Sequence, residues 1–298
     1  MRSASLRFHQ GTEGRGLSGP TQGGGEWRKT PLWIAATAAC AVTRSPGADL
    51  AGLRHGRFGR WTDGVDLLRA ECADFAAYWE AQNDWVLATR ERARRHGRAP
   101  GPLWVAMGDS TAQGIGAPEP FGGYVGQTLS QLRRSTGRPW QVLNLSVSGA
   151  LVRDVLAAQV PRLDGCHAEL VTCGVGANDI LYSVPARLLR DIHGLLDALP
   201  RDTVVLDLPL LSGLWWVVGA MSVPYVTFIN RVIGEAAAER GLRVAEVSRH
   251  FTPPWEGKFA GDNFHPSQDG YRDWASALAE TIAAGPFGPA AETRQAVA

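Results

Sequence analysis

The chain has 298 residues, of which 45% are hydrophobic and 20% charged, and its formal net charge is +1. This length and composition suffice for one full-sized globular domain plus an extension. The charge is uneven, because residues 1–60 hold nine Lys/Arg against three Asp/Glu and residues 99–298 hold fifteen against nineteen. No basic stripe with interleaved aromatic residues crosses the second region, so we expect no nucleic-acid partner.

The first sixty residues carry the least information about the fold. They are Gly-rich and basic with little periodic hydrophobicity, and we expect a disordered or targeting extension. Two basic residues precede an apolar run over 31–42, which has the length of a signal-peptide core but is too short to span a bilayer. Because alanine is the commonest residue of that run and its leading region is long, we expect a cytoplasmic protein. Secretion or membrane association is the alternative if residues 28–42 act as a signal.

Residues 66–95 have the pattern of an amphipathic helix, with arginines near its end that complement the helix dipole. The apolar residues that recur at helical spacing are Leu68, Cys72, Phe75, Trp79 and Val86. We predict that this helix, within a helical extension over 61–98, packs on the domain that follows. A helix that binds a partner or a membrane surface is the alternative, which the arginine content permits.

A short apolar run over 103–107 breaks into Gly108-Asp109-Ser110 and a Gly-rich stretch. A continuous apolar run of this length is typical of a parallel strand that is buried on both faces. Ligands of open α/β sheets bind just past the carboxyl ends of such strands, which is where Ser110 lies. We therefore predict that Ser110 is a nucleophile, with a helix-capping or turn serine as the alternative.

Two further apolar runs end in small or polar residues, one at Gly149 and the other at Asn178, which we expect to lie in a loop. Acyl transfer needs hydrogen-bond donors that point at the developing oxyanion. The backbone N–H groups of Ser110 and Gly149 and the side-chain amide of Asn178 would supply three donors. A glycine that only permits a tight turn and an asparagine that caps a helix are the alternatives.

Asp262 and His265 precede a helical pattern that runs through Ile282. In a turn that leads into a helix with Pro266 at its first position, a carboxylate reaches the Nδ1 side of an imidazole three residues later. Nε2 of His265 is then available to take a proton from Ser110. The alternative is an aspartate that caps the helix and a histidine on the surface.

These blocks occur in the order that is typical of the SGNH superfamily of hydrolases, also called GDSL esterases and lipases, which the chain resembles over residues 102–284. Thr111 departs from the pattern, because the GDSL motif has leucine at that position. The resemblance implies that Ser110 is the nucleophile and that Asp262 and His265 complete the catalytic triad. It also implies that Gly149 and Asn178 belong to the oxyanion hole.

Strands and helices alternate along the region that carries this resemblance, which indicates an α/β fold with a parallel sheet covered on both faces. The predicted strands are 103–107, 141–147, 169–174, 203–208 and 242–247. The predicted helices lie near 121–135, 151–163, 185–199, 226–240 and 267–284. The resemblance implies a three-layer α/β/α, flavodoxin-like sandwich with five parallel strands. We assign this catalytic domain to residues 99–285 and a flexible tail to 286–298.

Neither metal nor cofactor is expected. The chain has no C-x-x-C pair and no P-loop lysine motif, and neither Gly114-Ile-Gly116 nor Gly174-Val-Gly176 extends to G-x-G-x-x-G. The four cysteines are Cys40, Cys72, Cys166 and Cys173. The predicted function is hydrolysis of a small-molecule acyl ester through an acyl-enzyme intermediate. A carbohydrate O-deacetylase, an acyltransferase and a non-catalytic relative that binds a ligand or partner are the alternatives.

The segment 208–229 contains 22 residues without a formal charge, among them Trp215 and Trp216. Its length alone is that of a membrane span, but proline and glycine interrupt it, and the chain must return to the fifth strand of the sheet. A buried helix or packed loop is one interpretation. The other is an apolar wall or lid over an acyl pocket, which would suit a hydrophobic substrate.

Overall fold

The computed structural model describes residues 59–210 and 216–285. The predictions for the extension up to residue 58, which includes the candidate signal at 28–42, lie outside this part of the chain. The prediction of a flexible tail over 286–298 also lies outside it, as does Trp215.

The described residues contain a five-stranded sheet in which every neighbouring pair of strands is parallel. The strand order across the sheet is β2-β1-β3-β4-β5. The strands are β1 Leu103–Gly108, β2 Gln141–Asn144, β3 Leu170–Gly174, β4 Val204–Leu206 and β5 Arg243–Ala245. The predicted α/β fold with five parallel strands is therefore confirmed.

Helices connect the strands, and one long helix precedes them. In chain order they are α1 Gly59–Arg95, α2 Ser110–Gln113, α3 Tyr124–Thr136, α4 Val152–Asp154, α5 Ala177–Tyr182, α6 Pro185–Ala198, α7 Trp216–Glu239, α8 Val247–His250 and α9 Gln268–Ala283. The chain continues from α4 through a π-helical turn, Val155–Gln159, and a 3₁₀ turn, Val160–Leu163.

Three expectations about helices are wrong. Asn178 lies in the short helix α5 rather than in a loop. Pro224 lies inside α7, which begins at Trp216 rather than near residue 226, so this proline does not interrupt the helix. Pro266 is not the first residue of α9, because Ser267 is the N-cap and accepts a hydrogen bond from the backbone N–H of Gly270.

The sheet lies between two hydrophobic layers because successive side chains of a strand point to opposite faces. In β1, Val105 and Met107 belong to one buried cluster, which also contains residues of α6 and α7. Trp104 and Ala106 belong to a second cluster, with residues of α3 and α9. The helices thus cover both faces, which completes the three-layer arrangement.

The long helix α1 covers the open edge of the sheet at β2. The side chain of Asn83 donates a hydrogen bond to the backbone oxygen of Asn144 and accepts one from its backbone N–H, at 2.8 and 2.9 Å. The asparagine thus takes the place that a further strand would occupy and satisfies an edge that would otherwise be unpaired. Trp79 and Val86 of α1 are buried in the two core clusters, one in each.

None of the helices within 59–210 and 216–285 combines the length and the apolar character that crossing a membrane requires. The segment 208–229 contributes Val226 and Ile229 to the core, where both are fully buried. This part of the segment is a helix that is buried on one side, because Pro224, Thr227 and Phe228 are exposed. The question of an apolar wall or lid concerns Trp215 and the side chain of Trp216, which the structure does not describe.

Candidate active site

Ser110 lies two residues past the end of strand β1. Asp109 caps α2 by accepting a hydrogen bond from the backbone N–H of Thr111, and Ser110 is the first residue of that helix. The tight junction depends on Gly108, which has a φ of +151°. A Cβ atom at this position would lie 2.2 Å from the carbonyl oxygen of Gly174 on the neighbouring strand, so only glycine fits.

Asp262 and His265 lie on a hairpin-like turn that precedes α9. The backbone N–H of Ala260 donates to the carbonyl oxygen of His265 at 2.9 Å, which closes the turn. Oδ1 of Asp262 accepts hydrogen bonds from the backbone N–H groups of Phe264 and His265 at 2.9 and 3.0 Å. The carboxylate therefore holds the backbone of the same turn that presents the imidazole.

The side chains of Ser110, His265 and Asp262 form a continuous hydrogen-bonded chain. Nε2 of His265 lies 2.8 Å from Oγ of Ser110, and Nδ1 lies 2.5 Å from Oδ2 of Asp262. Ser110 and His265 are each 6% exposed. The structure thus brings together three residues that are up to 155 positions apart in the chain.

Asp262 is held in its ionised form by its partners. Burial alone would raise the pKa of this carboxyl, but the hydrogen bond and charge of His265 and the two backbone N–H donors outweigh burial. The pKa of Asp262 consequently lies below its ordinary value of 3.8. A carboxylate in contact with Nδ1 fixes the tautomer that leaves Nε2 facing the serine.

Gly149 and Asn178 lie on adjacent, connected segments. Gly149 is exposed in a turn with a φ of +78°. The side-chain nitrogen of Asn178 donates one hydrogen to the carbonyl oxygen of Ala150 at 3.1 Å, which leaves its second amide hydrogen for another acceptor. Within the described residues, the backbone N–H groups of Ser110 and Gly149 donate to no protein acceptor.

Comparison with known protein families identifies the family to which the chain belongs. Residues 106–272, more than half of the chain, match the model of the GDSL-like lipase/acylhydrolase family. The chain belongs to this family. The resemblance that the sequence motifs indicated is therefore confirmed. No curated protein sequence matches the chain.

Solved structures share the fold of this chain at low sequence identity. TesA is 21% identical with a TM-score of 0.51, and the match covers 62% of this chain and 99% of TesA. A variant of Axe2, an acetyl xylan esterase from Geobacillus stearothermophilus, is 20% identical with a TM-score of 0.51, and the match covers 61% of this chain and 94% of Axe2. The lipase Lip_vut3 from a goat rumen metagenome is 18% identical with a TM-score of 0.50, and the match covers 60% of this chain and 97% of the lipase.

Several residues support the site although the sequence motifs did not point to them. Gln159 bonds both backbone groups of Gly108, at 2.8 Å each, and so fixes the end of β1. Gln113, three residues after Ser110, donates to the carbonyl oxygen of Ser146 at 3.0 Å and accepts from the hydroxyl of Ser148. The segment before Gly149 is thus tied to the helix of Ser110.

Buried carboxyl groups lie at the edge of the sheet where the parallel strands end. Burial raises the pKa of Asp109, although hydrogen bonds from Thr111 oppose the shift. Burial also raises the pKa of Asp179 and of Asp207 to about 6 each. Hydrogen bonds from Val152 and Ser183 oppose the shift of Asp179, and hydrogen bonds from Ser248 oppose that of Asp207. Among the described residues, no group of three or more His, Cys, Asp or Glu side chains could hold a metal ion.

Proposed function

We propose that the protein is a serine hydrolase that cleaves carboxylic esters through an acyl-enzyme intermediate. The observation that supports this proposal best is the hydrogen-bonded chain from Ser110 through His265 to Asp262. Membership in a family of lipases and acylhydrolases agrees with it. A serine in hydrogen-bond contact with a base that a third group orients is the arrangement by which a weak hydroxyl nucleophile is activated.

The first half of the reaction transfers the acyl group to the enzyme. Nε2 of His265 takes the proton of Ser110 as Oγ attacks the ester carbonyl carbon, and ionised Asp262 stabilises the imidazolium that forms. The oxyanion accepts hydrogen bonds from the backbone N–H groups of Ser110 and Gly149 and from the side-chain amide of Asn178. The tetrahedral intermediate then expels the alcohol, which takes a proton from His265.

The second half releases the acid. Water gives a proton to His265 and attacks the acyl carbon, and a second tetrahedral intermediate forms against the same donors. Its collapse breaks the bond to Oγ, and Ser110 regains its proton from His265. Removal of one oxyanion donor in such a site typically costs about 100- to 1,000-fold in rate.

A fluorophosphonate probe tests whether Ser110 is activated, because the serine oxygen displaces fluoride from phosphorus only where a base assists it. We expect one adduct on the wild-type protein by intact mass, and none on Ser110→Ala or His265→Ala. Ser276→Ala removes an exposed hydroxyl on α9 and is the matched control, which should still be labelled. A folded wild-type protein that takes no adduct would contradict the proposal.

Product analysis separates hydrolysis from the other reactions that the same groups support. Free acid that appears from a simple acyl ester without an added alcohol supports the hydrolase. Acyl products that appear only with an acceptor alcohol would indicate a transferase instead. A strong preference for acetylated sugars over simple acyl esters would indicate a carbohydrate O-deacetylase.

A further inference from the structure

The helix α1, Gly59–Arg95, lies outside the residues that match the family model, 106–272, and yet reaches the candidate active site. Two of its side chains bond the segment that follows Ser110. Oε1 of Glu71 accepts a hydrogen bond from the backbone N–H of Gly116 at 2.9 Å. The indole N–H of Trp79 donates to the carbonyl oxygen of Gln113, the last residue of α2, at 2.8 Å.

Gly116 is in direct contact with the backbone that carries His265. Its φ is +94°, and a Cβ atom there would lie 2.9 Å from Cβ of His265 and 2.6 Å from the carbonyl oxygen of Pro266. Real Cβ atoms essentially never come so close, so the turn at 114–116 is packed against the turn that presents the imidazole. A displacement of Gly116 would therefore be transmitted to His265.

The turn at 114–116 has other anchors as well, among them backbone hydrogen bonds from Ile115 to Ser110 and from Ala117 to Gly114 at 3.1 and 3.0 Å. The hydroxyl of Tyr271 on α9 donates to the carbonyl oxygen of Ile115 at 2.6 Å. Gly114 ends α2 in the left-handed conformation, and its N–H bonds back to Ser110 and Thr111. Glu71 is the one side chain among the described residues that accepts from the N–H of Gly116.

We propose that Glu71 is a positioning residue, which holds Gly116 and through it keeps His265 at hydrogen-bond distance from Ser110. The inference rests on the proposed function, because it assigns Glu71 a part in that same reaction. A long helix that the family model does not include thereby becomes part of the catalytic machinery of this chain. Glu71 itself accepts only a backbone hydrogen bond and is not assigned a contact with substrate.

Two substitutions of Glu71 distinguish a positioning role of its side chain from an effect of its charge or of its contribution to folding. Glu71→Ala removes the acceptor, whereas Glu71→Gln keeps an oxygen that accepts from the same N–H. Glu80→Ala is the matched control, since Glu80 is an exposed glutamate on the same helix and its loss changes the charge equally. Because small misplacements of catalytic groups are costly, we expect Glu71→Ala to lower kcat about 10- to 100-fold while KM stays within about twofold.

The glutamine variant is expected to keep kcat within about threefold of the wild type, and Glu80→Ala within about twofold. The rate of fluorophosphonate labelling should fall with kcat in Glu71→Ala. If the alanine variant unfolds, Glu71→Met fills the volume without an acceptor and takes its place. Equal kcat in Glu71→Ala and Glu80→Ala would overturn the inference, as would a glutamine variant as slow as the alanine variant.

The controls also separate this inference from the proposed function. A wild-type protein that neither hydrolyses esters nor takes the probe would overturn the function, and the role of Glu71 with it. A wild-type protein that does both, together with a fully active Glu71→Ala variant, would overturn only the positioning role.

Discussion

Asp262 links the fold of its own turn to the proposed chemistry at Ser110. One carboxylate oxygen holds two backbone N–H groups and the other faces Nδ1 of His265. The same contacts lower the pKa of the carboxyl, so the charge that orients the imidazole is also a charge that the native state stabilises. Loss of that charge should therefore be visible both in turnover and in stability.

For Asp262→Asn we expect kcat to fall about 1,000- to 10,000-fold, because the amide neither fixes the tautomer nor stabilises the imidazolium. Since folding lowers the pKa of Asp262, its stabilising contribution is present above pH 3.8 and is lost as pH falls through the lower folded pKa. The difference in unfolding free energy between wild type and variant, measured in urea between pH 3 and 7, should thus narrow towards the acidic end. Asp84→Asn, at an exposed carboxylate, is the control. A stability difference that does not change with pH would contradict the prediction.

Short-range patterns predicted which residues meet at Ser110, but not what supports them. Ser110, Asp262 and His265 were predicted because their chemistry is uncommon and their local spacing is specific, whereas their catalytic roles stay a prediction. Glu71 and Gln159 gave no comparable signal. A glutamate on a helix is usually a solvated residue, and the bonds from these two side chains join residues 45 and 51 positions apart.

At the edge of the sheet, a side chain of helix α1 bonds the backbone groups of β2 that no neighbouring strand pairs. Asn83 occupies both backbone groups of Asn144 on β2, and Asn144 is 2% exposed. The side chain of Asn144 in turn donates to the carbonyl oxygen of Ala112 in the helix of Ser110, at 2.7 Å. The contact between α1 and β2 therefore stabilises the edge strand and, through it, the candidate site.

We expect Asn83→Ala to lower the free energy of unfolding by about 2–3 kcal/mol, because it leaves a buried backbone N–H and C=O of Asn144 without partners. Urea unfolding measures the loss. Asp84→Ala, at the neighbouring exposed position, should change stability by less than about 0.5 kcal/mol. Equal stability of the two variants would show that water or a local rearrangement satisfies the edge of β2.

The strands were predictable as elements because each is a short apolar run, whereas the beginning of α7 was not. Pro224 removes one helical hydrogen bond, so the sequence predicts a break there. The structure instead continues α7 through this position, and the buried side chains of Val226 and Ile229 that follow pack into the core. Tertiary packing outweighs the local preference, which no pattern within the segment reveals.

Helix α1 contributes buried side chains to the hydrophobic core on both sides of the sheet. Trp79 shares a buried cluster with Trp104, and Val86 shares the other with Val105. Separation of α1 from the domain would open both clusters and the edge of β2 together. The helix is therefore expected to belong to the same cooperative unit as the sheet, although it lies outside the family match.

Native-state hydrogen exchange tests this expectation. In low urea, amides of α1 between residues 72 and 90 should open with the same free energy as those of β1, while the exposed turn at 164–168 exchanges early. Asn83→Ala should lower the opening free energy of α1 and β1 by equal amounts. Exchange of α1 at a lower free energy while β1 stays protected would show that the helix detaches on its own. In that case the bond between Glu71 and Gly116 would be intermittent, and turnover should fall with urea before the sheet unfolds.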